Sequence, residues 1–257
     1  MTFQLTEPIL LIGLGGVGAS LAEKAKKSLN SDCLLISHDQ KDLTAENSIK
    51  ISTKSVVNPS THLIRGSTLE TSDEIKKNIA NYSTVILMSN LAGKAGVGIG
   101  PIVSRICKQE QKNLLSFAIM PFKFEKERIF QSGIALKRIR QDSQCTIVVD
   151  NDALLDSNPD LTQKQCYDIS NKAIESMMHS LKSSEISEDT NILSTGKATD
   201  DIEDSLKDSL RMLYEDAPPS SIKRSMLYVY GGSNIPVGVL NTISNITGGT
   251  FDENSTH

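Results

Sequence analysis

The sequence predicts an α/β fold: a Rossmann-like, doubly wound parallel sheet with a central helix leading to a small, truncated α+β second domain. Three observations predict it. Short aliphatic runs alternate with longer polar or amphipathic stretches, the pattern of strands covered on both faces by crossover helices. The first run leads straight into a glycine-rich turn, as βα units of this class do. After Asp150 the alternation stops, and one long amphipathic stretch separates the first part of the chain from a shorter second part.

The elements follow in order. Residues 8–14 read as a buried strand, as do residues 33–37, 84–89, 114–120 and 145–149. Residues 19–30, 72–81, 100–111 and 125–140 read as the intervening helices. Residues 161–181 read as one long helix, because Ile169, Ala173, Ile174, Met177, Met178 and Leu181 recur at helical spacing and form a core stripe. The polar run 182–191 reads as a loop. A helix over residues 200–214 follows, with Ile202, Leu206, Leu210 and Leu213 on one face and Pro218-Pro219 beyond its end. Residues 226–230 read as a strand, Gly231-Gly232 as a turn and residues 237–246 as a last helix. The expected domains are residues 1–182, which include the central helix, and residues 183–247, with a disordered tail at 248–257.

Composition removes several classes of function. A formal charge of -4 with mixed signs argues against nucleic-acid binding. No apolar run approaches the ~18–20 residues of a membrane span; the longest, residues 9–19, is broken by four glycines. Direct membrane insertion is therefore not expected, and residues 1–7 lack the basic start of a signal peptide. Cys33, Cys107, Cys145 and Cys166 form no C-x-x-C pair and read as buried thiols of a reducing cytoplasm. His38, His62, His179 and His257 are scattered, so no metal site is expected. With aromatics at 4% and no Trp, the core has to be built from Ile, Leu, Val and Ala.

Two glycine loops carry the chemistry. The first is Gly13-Leu14-Gly15-Gly16-Val17-Gly18-Ala19-Ser20, between a strand and a helix. Glycines let the backbone turn tightly and let a phosphate approach the helix N-terminus, where unpaired N–H groups and the dipole favour an anion. Asp39 lies near the position of the ribose-binding acid of a dinucleotide enzyme, which keeps an NAD(P) reading open. A turn made of glycine only for close strand–helix packing also remains open. The second loop, residues 90–101, holds Gly93, Lys94, Ala95, Gly96, Val97 and Gly98, and it too leads into a helix. It has no G-K-[ST], so it is not a Walker A loop. Two such loops at neighbouring strand ends suit one polyphosphate held between them.

The second loop and the segments beyond it resemble the FtsZ/tubulin superfamily, and FtsZ in particular. Residues 92–98 stand in the place of that family's G-G-G-T-G-T-G. Pro121-Phe122-Lys123-Phe124-Glu125 resembles its P-F-x-F-E, and residues 148–155, with Asn151, resemble its I-P-N-D-x-L-L. The first loop fits its G-x-G-G-x-G-x-N, and Asp39 takes the place of the Asp in N-T-D-A-Q. The resemblance covers residues 8–181, and residues 191–246 more weakly. It implies a GTPase-domain fold in which both loops embrace the phosphates of GTP or GDP, with or without Mg2+. It places Glu125 at the ribose and Arg128 beside it, one residue earlier than in the bacterial pattern but on the same helical face. The base-reading positions fall at Ser20 and Asn171.

The departures from the family pattern concern chemistry. Ala95 and Val97 replace two threonines, and Lys94 replaces a glycine. Asn171 in place of Asp weakens guanine selectivity by roughly 1–3 kcal/mol if a charged hydrogen bond becomes a neutral one. The family's N-x-D-x-x-D loop, which completes a neighbouring subunit's active site, is missing; Glu185, Glu188 and Asp189 are the acids available in its place. The implied protein is a divergent cytoskeletal, cell-division-type FtsZ relative in which guanine-nucleotide binding is weak or lost and hydrolysis is impaired. Its implied partners are itself or another FtsZ-family subunit. The alternatives are a slow GTPase with non-standard acids, an NAD(P)-dependent Rossmann oxidoreductase, and a nucleotide-free structural module in which Lys94 fills the phosphate space.

Overall fold

Uninterrupted aliphatic runs make the central strands. In Ile9–Leu14 every residue is buried, and in Thr84–Asn90 all but the last, as befits strands covered on both faces. The computed structural model describes residues 2–54, 57–181, 186–196, 202–216 and 241. Along the chain these form β1 (Thr2–Phe3), β2 (Ile9–Leu14), α1 (Gly15–Leu29), β3 (Asp32–Ser37), a 3-10 turn (Gln40–Asp42), β4 (Ser48–Lys50), α2 (Thr61–Glu70), α3 (Ser72–Ile79) and β5 (Thr84–Asn90). There follow α4 (Lys94–Gln109), β6 (Asn113–Ile119), α5 (Lys126–Asp142), β7 (Cys145–Val149), α6 (Asn151–Ser157), α7 (Gln163–Ser180), β8 (Ile186–Ser187), β9 (Asp189–Ile192) and α8 (Ile202–Asp216).

The main sheet has the order β4-β3-β2-β5-β6-β7-β9, and every pair from β4 to β7 is parallel. The chain starts in the middle at β2, winds outward through β3 and β4, then returns to β5 and winds the other way. The reversal falls between β2 and β5, where Gly13 pairs with Met88 and Leu14 with Ser89. Ligands of doubly wound folds bind at such a switch point, beyond the carboxyl ends of the strands. The two glycine loops leave the sheet there, side by side.

By internal contacts the chain divides into one unit of residues 1–149 and 178–191 and another of residues 150–177 and 192–257. In the first, Leu10, Ile12, Leu34, Ile36, Val85 and Leu87 pack with Ile64, Ile75, Ile99 and Val103. The core is aliphatic as the composition requires, with Phe117 and Phe122 as its fully buried aromatic members. In the second, Leu206 and Met212 of α8 are buried, and α8 packs on α6.

Several expectations need correction. The helix expected at residues 100–111 starts at Lys94, because the glycine loop is itself the first turn of α4. Pro101 then lies inside the helix and supplies no N–H to the Val97 carbonyl. The Arg65 guanidinium donates to that carbonyl instead, at 3.5 Å. Helices α2 and α6 were not foreseen. Helix α2 buries only Ile64 and Thr68, too few for a readable stripe, and α6 is a single short helix capped by Asp150, whose Oδ1 accepts from Asp152 N–H at 2.8 Å. Part of the run expected as a loop is strand: Ile186 and Ser187 pair with Phe3 and Thr2, and β9 neighbours β7. Two-residue pairing and a polar edge strand leave no period-2 signal. The boundary at 182/183, the strand, turn and helix at residues 226–246 and the tail at 248–257 lie outside the described residues. Among the described residues no helix is long and apolar enough to cross a membrane.

Candidate functional site

Helices α1 and α4 both start where their glycine loops leave the sheet. Their N-caps are Leu14 and Gly93, neither with a side-chain cap, and neither first turn contains an acid. The first N–H groups of each helix thus have no partner within the helix, and the positive dipole end adds to them. The two ends touch. A Cβ placed on Gly15 would lie 2.9 Å from Ala95 Cβ, and Gly15 has φ +64, a left-handed conformation suited to glycine. The result is a cradle of backbone donors from two helices, the geometry of an anion site.

The glycines have two different duties. A Cβ on Gly13 would sit 2.5 Å from the Gly18 carbonyl oxygen, and one on Gly18 or Gly96 would collide with the carbonyl of Met88 or Asn90. Gly98 faces Ile64 at 2.8 Å. These four are required by packing alone. Gly16 is exposed, and a Cβ there would meet only the Asp42 carboxylate, at 2.9 Å. Val17 is half-buried, Ala19 buried and Ser20 exposed. Asn90 holds the second loop: its Oδ1 accepts from Ala92 N–H at 2.9 Å and its carbonyl from Gly93 N–H at 3.1 Å.

The acid at the first loop is Asp42, which the sequence reading missed. Asp39 caps the 3-10 turn, its Oδ1 accepting from Lys41 N–H at 3.1 Å. Asp42 Oδ2 accepts from Ser37 Oγ–H at 2.6 Å, and Oδ1 faces Gly16. The only signal was that a second acid follows Asp39 by three residues, one turn of a 3-10 helix. His38 sits nearby; burial lowers its pKa, Asp42 and Asp39 oppose the shift, and Lys94 adds to it.

Lys94 is tied to the segment before α2. Its Nζ donates to Asn58 Oδ1 at 2.6 Å and to the Pro59 carbonyl at 2.9 Å, tying the start of α4 to the segment before α2. Ala95 and Val97 are each 5% exposed, and both pack into the hydrophobic core.

Glu125 and Arg128 are brought together. Arg128 Nη1 donates to Glu125 Oε1 at 2.7 Å, while Glu125 Oε2 accepts from Phe122 N–H at 3.2 Å. The Phe122 and Phe124 rings stack 5.1 Å apart. Ser132 Oγ–H donates to the Leu91 carbonyl at 2.7 Å and fixes α5 against the second loop.

In the second unit Asn151 is fully buried, and its Oδ1 accepts from Ser170 Oγ–H at 2.5 Å. Asn151 Nδ2 and Asn171 Oδ1 are buried atoms without a hydrogen-bond partner. Such orphaned groups cost stability unless a ligand satisfies them. Asn171 offers an acceptor and Asn151 a donor, the two functions needed to read a base edge. Glu185 lies outside the described residues. Asp189 N–H donates to the Gln144 carbonyl at 2.8 Å, just ahead of β7. Glu188 and Asp189 therefore lie at the amino ends of the parallel strands, and the glycine loops lie at the carboxyl ends.

The residues present fit a nucleotide in part. The paired helix ends fit phosphates. Asp42 sets a carboxylate at Gly16, and the buried Ala95 and Val97 carry no hydroxyl.

Comparison with known proteins adds a separate line. A model of the Tubulin/FtsZ family, GTPase domain, matches residues 8–159. Cell division protein FtsZ 1 of Halobacterium salinarum is 26% identical over 192 residues, 70% of this chain and 47% of that protein. FtsZ 2 of the same organism is 25% identical over 180 residues, 65% of this chain and 44% of that one. The matched region thus spans less than half of these relatives. Among solved structures, an FtsZ mutant from M. jannaschii superposes with TM-score 0.78 at 17% identity, covering 96% of this chain and 83% of that one. CetZ from Methanosaeta thermophila gives 0.64 at 16%, covering 96% and 80%. At these identities the structural likeness speaks for the fold alone.

Proposed function

The chain belongs to the Tubulin/FtsZ family, and from that premise we propose that it is a cytoskeletal, cell-division-type member. In this reading it binds GTP or GDP weakly, hydrolyses GTP poorly and assembles with itself or with another FtsZ-family subunit. The observation that carries the reading is the meeting of two uncapped helix N-termini at Gly15 and Ala95. A polyphosphate between them accepts N–H donors from Gly15, Gly16 and Val17 on one side and from Ala95 and Gly96 on the other. Ser20 supplies a short hydroxyl, and the clamped Glu125 a fixed acceptor for a ribose hydroxyl. Binding is weak because two hydroxyl donors are absent and Asp42 sets a negative charge at Gly16. Mg2+, when bound with the nucleotide, supplies positive charge that offsets this repulsion. The family match leaves the dinucleotide reading without support, and Lys94 Nζ is bonded to Asn58 and Pro59.

A second reading, slow hydrolysis between copies, is favoured by one observation. Glu188 and Asp189 lie at the strand ends opposite the glycine loops. Copies stacked head to tail would bring these acids to a neighbour's phosphates, where a carboxylate positions the attacking water. One solved relative from M. jannaschii is described as an FtsZ dimer.

Calorimetry with GTP and Mg2+, with ATP and NAD as competitors, tests the proposal. Weak GTP binding that GDP displaces and ATP and NAD do not is the expected result. Absence of any GTP heat at millimolar nucleotide would sink it. For the second reading, GTP turnover per mole should rise with protein concentration and vanish in a Glu188→Gln, Asp189→Asn double variant. Turnover per mole that is independent of concentration would rule it out.

A further inference from the structure

Helix α5 carries large apolar side chains on its outer face as well as its inner one. Its buried face is Ser132, Ala135 and Ile139. Its exposed face carries Ile129, Phe130 and Ile134, with Phe130 75% exposed and Phe124 just ahead of the helix 60% exposed. Lys126, Phe130, Gly133, Ile134, Lys137 and Arg140 fall at the spacing of one helical stripe. Helix α2 lies alongside: both helices pack on α4, and Thr61 Oγ1–H donates to Gln131 Oε1 at 3.2 Å. Leu63 and Leu69 of α2 are also exposed. The large exposed hydrophobic residues among those described all fall within residues 57–69 and 124–134.

Charge is segregated onto the same face. Residues 123–140 contain six cations and two carboxylates, a balance of +4 within a chain of -4. Among the described residues, Lys126, Lys137 and Arg140 have no ion-pair partner. Arg65 and Arg138, from the two helices, lie close enough that Arg138 lowers the Arg65 pKa after burial does. The face is open at Gly133, where a Cβ would meet nothing within 4 Å.

We propose that this face docks peripherally on an anionic lipid bilayer. Exposed phenyl and aliphatic side chains flanked by long, unpaired cations are the composition of a helix lying in a membrane interface. The rings enter the headgroup boundary, and the lysine stems reach back to the lipid phosphates. The unpaired cations beside exposed Phe130 complement an anionic lipid surface in charge. The contact lies along one helix face and spans nothing.

The full chain is mixed with vesicles of phosphatidylcholine plus phosphatidylglycerol, and separately with phosphatidylcholine alone, and sedimented. Binding to the first only, released by salt, is expected. Because the chain has no Trp, Phe130→Trp creates a single reporter whose emission shifts blue on the anionic vesicles. Lys126→Glu and Lys137→Glu, both at exposed positions, should each weaken binding by roughly tenfold, as reversing one surface cation near anionic lipid implies; circular dichroism checks their fold. No binding, binding without the blue shift, or binding indifferent to both reversals would each overturn the proposal. So would salt-sensitive self-association, abolished by Phe130→Asp in the absence of lipid, without vesicle binding; that outcome assigns the face to a second copy.

Discussion

His38 lies where burial and charge compete. Burial and Lys94 lower its pKa from the usual 6.5, and Asp42 and Asp39 raise it, with burial the largest effect. A histidine whose folded pKa lies below its unfolded value is protonated first in the unfolded chain. Its stabilising contribution is present above 6.5 and is lost as pH falls through the folded value. Denaturant midpoints should therefore fall as pH is lowered from about 7 to about 5. The fall should be shallower in His38→Gln. An unchanged slope in that variant would place the sensitivity in other groups. The same few residues show what was legible at this scale. The acidic character of the segment after β3 could be read, but the acid that faces the loop could not. Asp39 and Asp42 lie in one turn, and only the path of that turn brings Asp42 to Gly16 and Asp39 to its own backbone. Lys94 likewise reads as a phosphate ligand in sequence, whereas the Asn58–Pro59 segment, far away along the chain, holds it.

At the scale of the element, glycines separate packing from function. Gly18 lies where α1 crosses β5, and a methyl group there runs into the Met88 carbonyl, which is backbone and cannot swing aside. Gly18→Ala should cost about 1–3 kcal/mol by overpacking. Gly133 lies on the open face of α5 with nothing near a new Cβ, so Gly133→Ala should stabilise by up to about 1 kcal/mol through helix propensity. Urea denaturation of the two variants checks both signs, and equal effects would contradict the packing argument. The five strands with continuous aliphatic runs were legible because burial on both faces writes itself into composition. The start of α4 was not. Glycines and a proline argue against helix locally. The fold overrides them by burying Ala95 and Val97 and by giving the Val97 carbonyl to Arg65.

At the scale of the whole molecule, the parallel sheet buries the thiols. Cys107 is fully buried and its pKa is pushed up to about 12; Cys145 is raised to about 12 and Cys33 to about 11, in each case chiefly by burial. Only a thiolate attacks a disulfide reagent. The native chain should therefore react slowly at neutral pH, at a rate that climbs with denaturant in step with unfolding. Fast native reaction of these three thiols would mean that the sheet opens locally. That the thiols are buried was readable from their apolar neighbours, and the structure finds all four free and buried.

By itself the sequence determined the fold class, the parallel strands and the two glycine loops. These rest on local pattern: which residues can be buried, and where the backbone must turn without a side chain. The tertiary structure decided which of those glycines packing requires, and which acid faces the loop. It also decided that the two helix ends meet at Gly15 and Ala95, and that Phe130 of α5 faces outward. Each of these depends on contacts between segments distant in the chain, set by strand order and crossover path. Residue spacing along one segment contains no record of them.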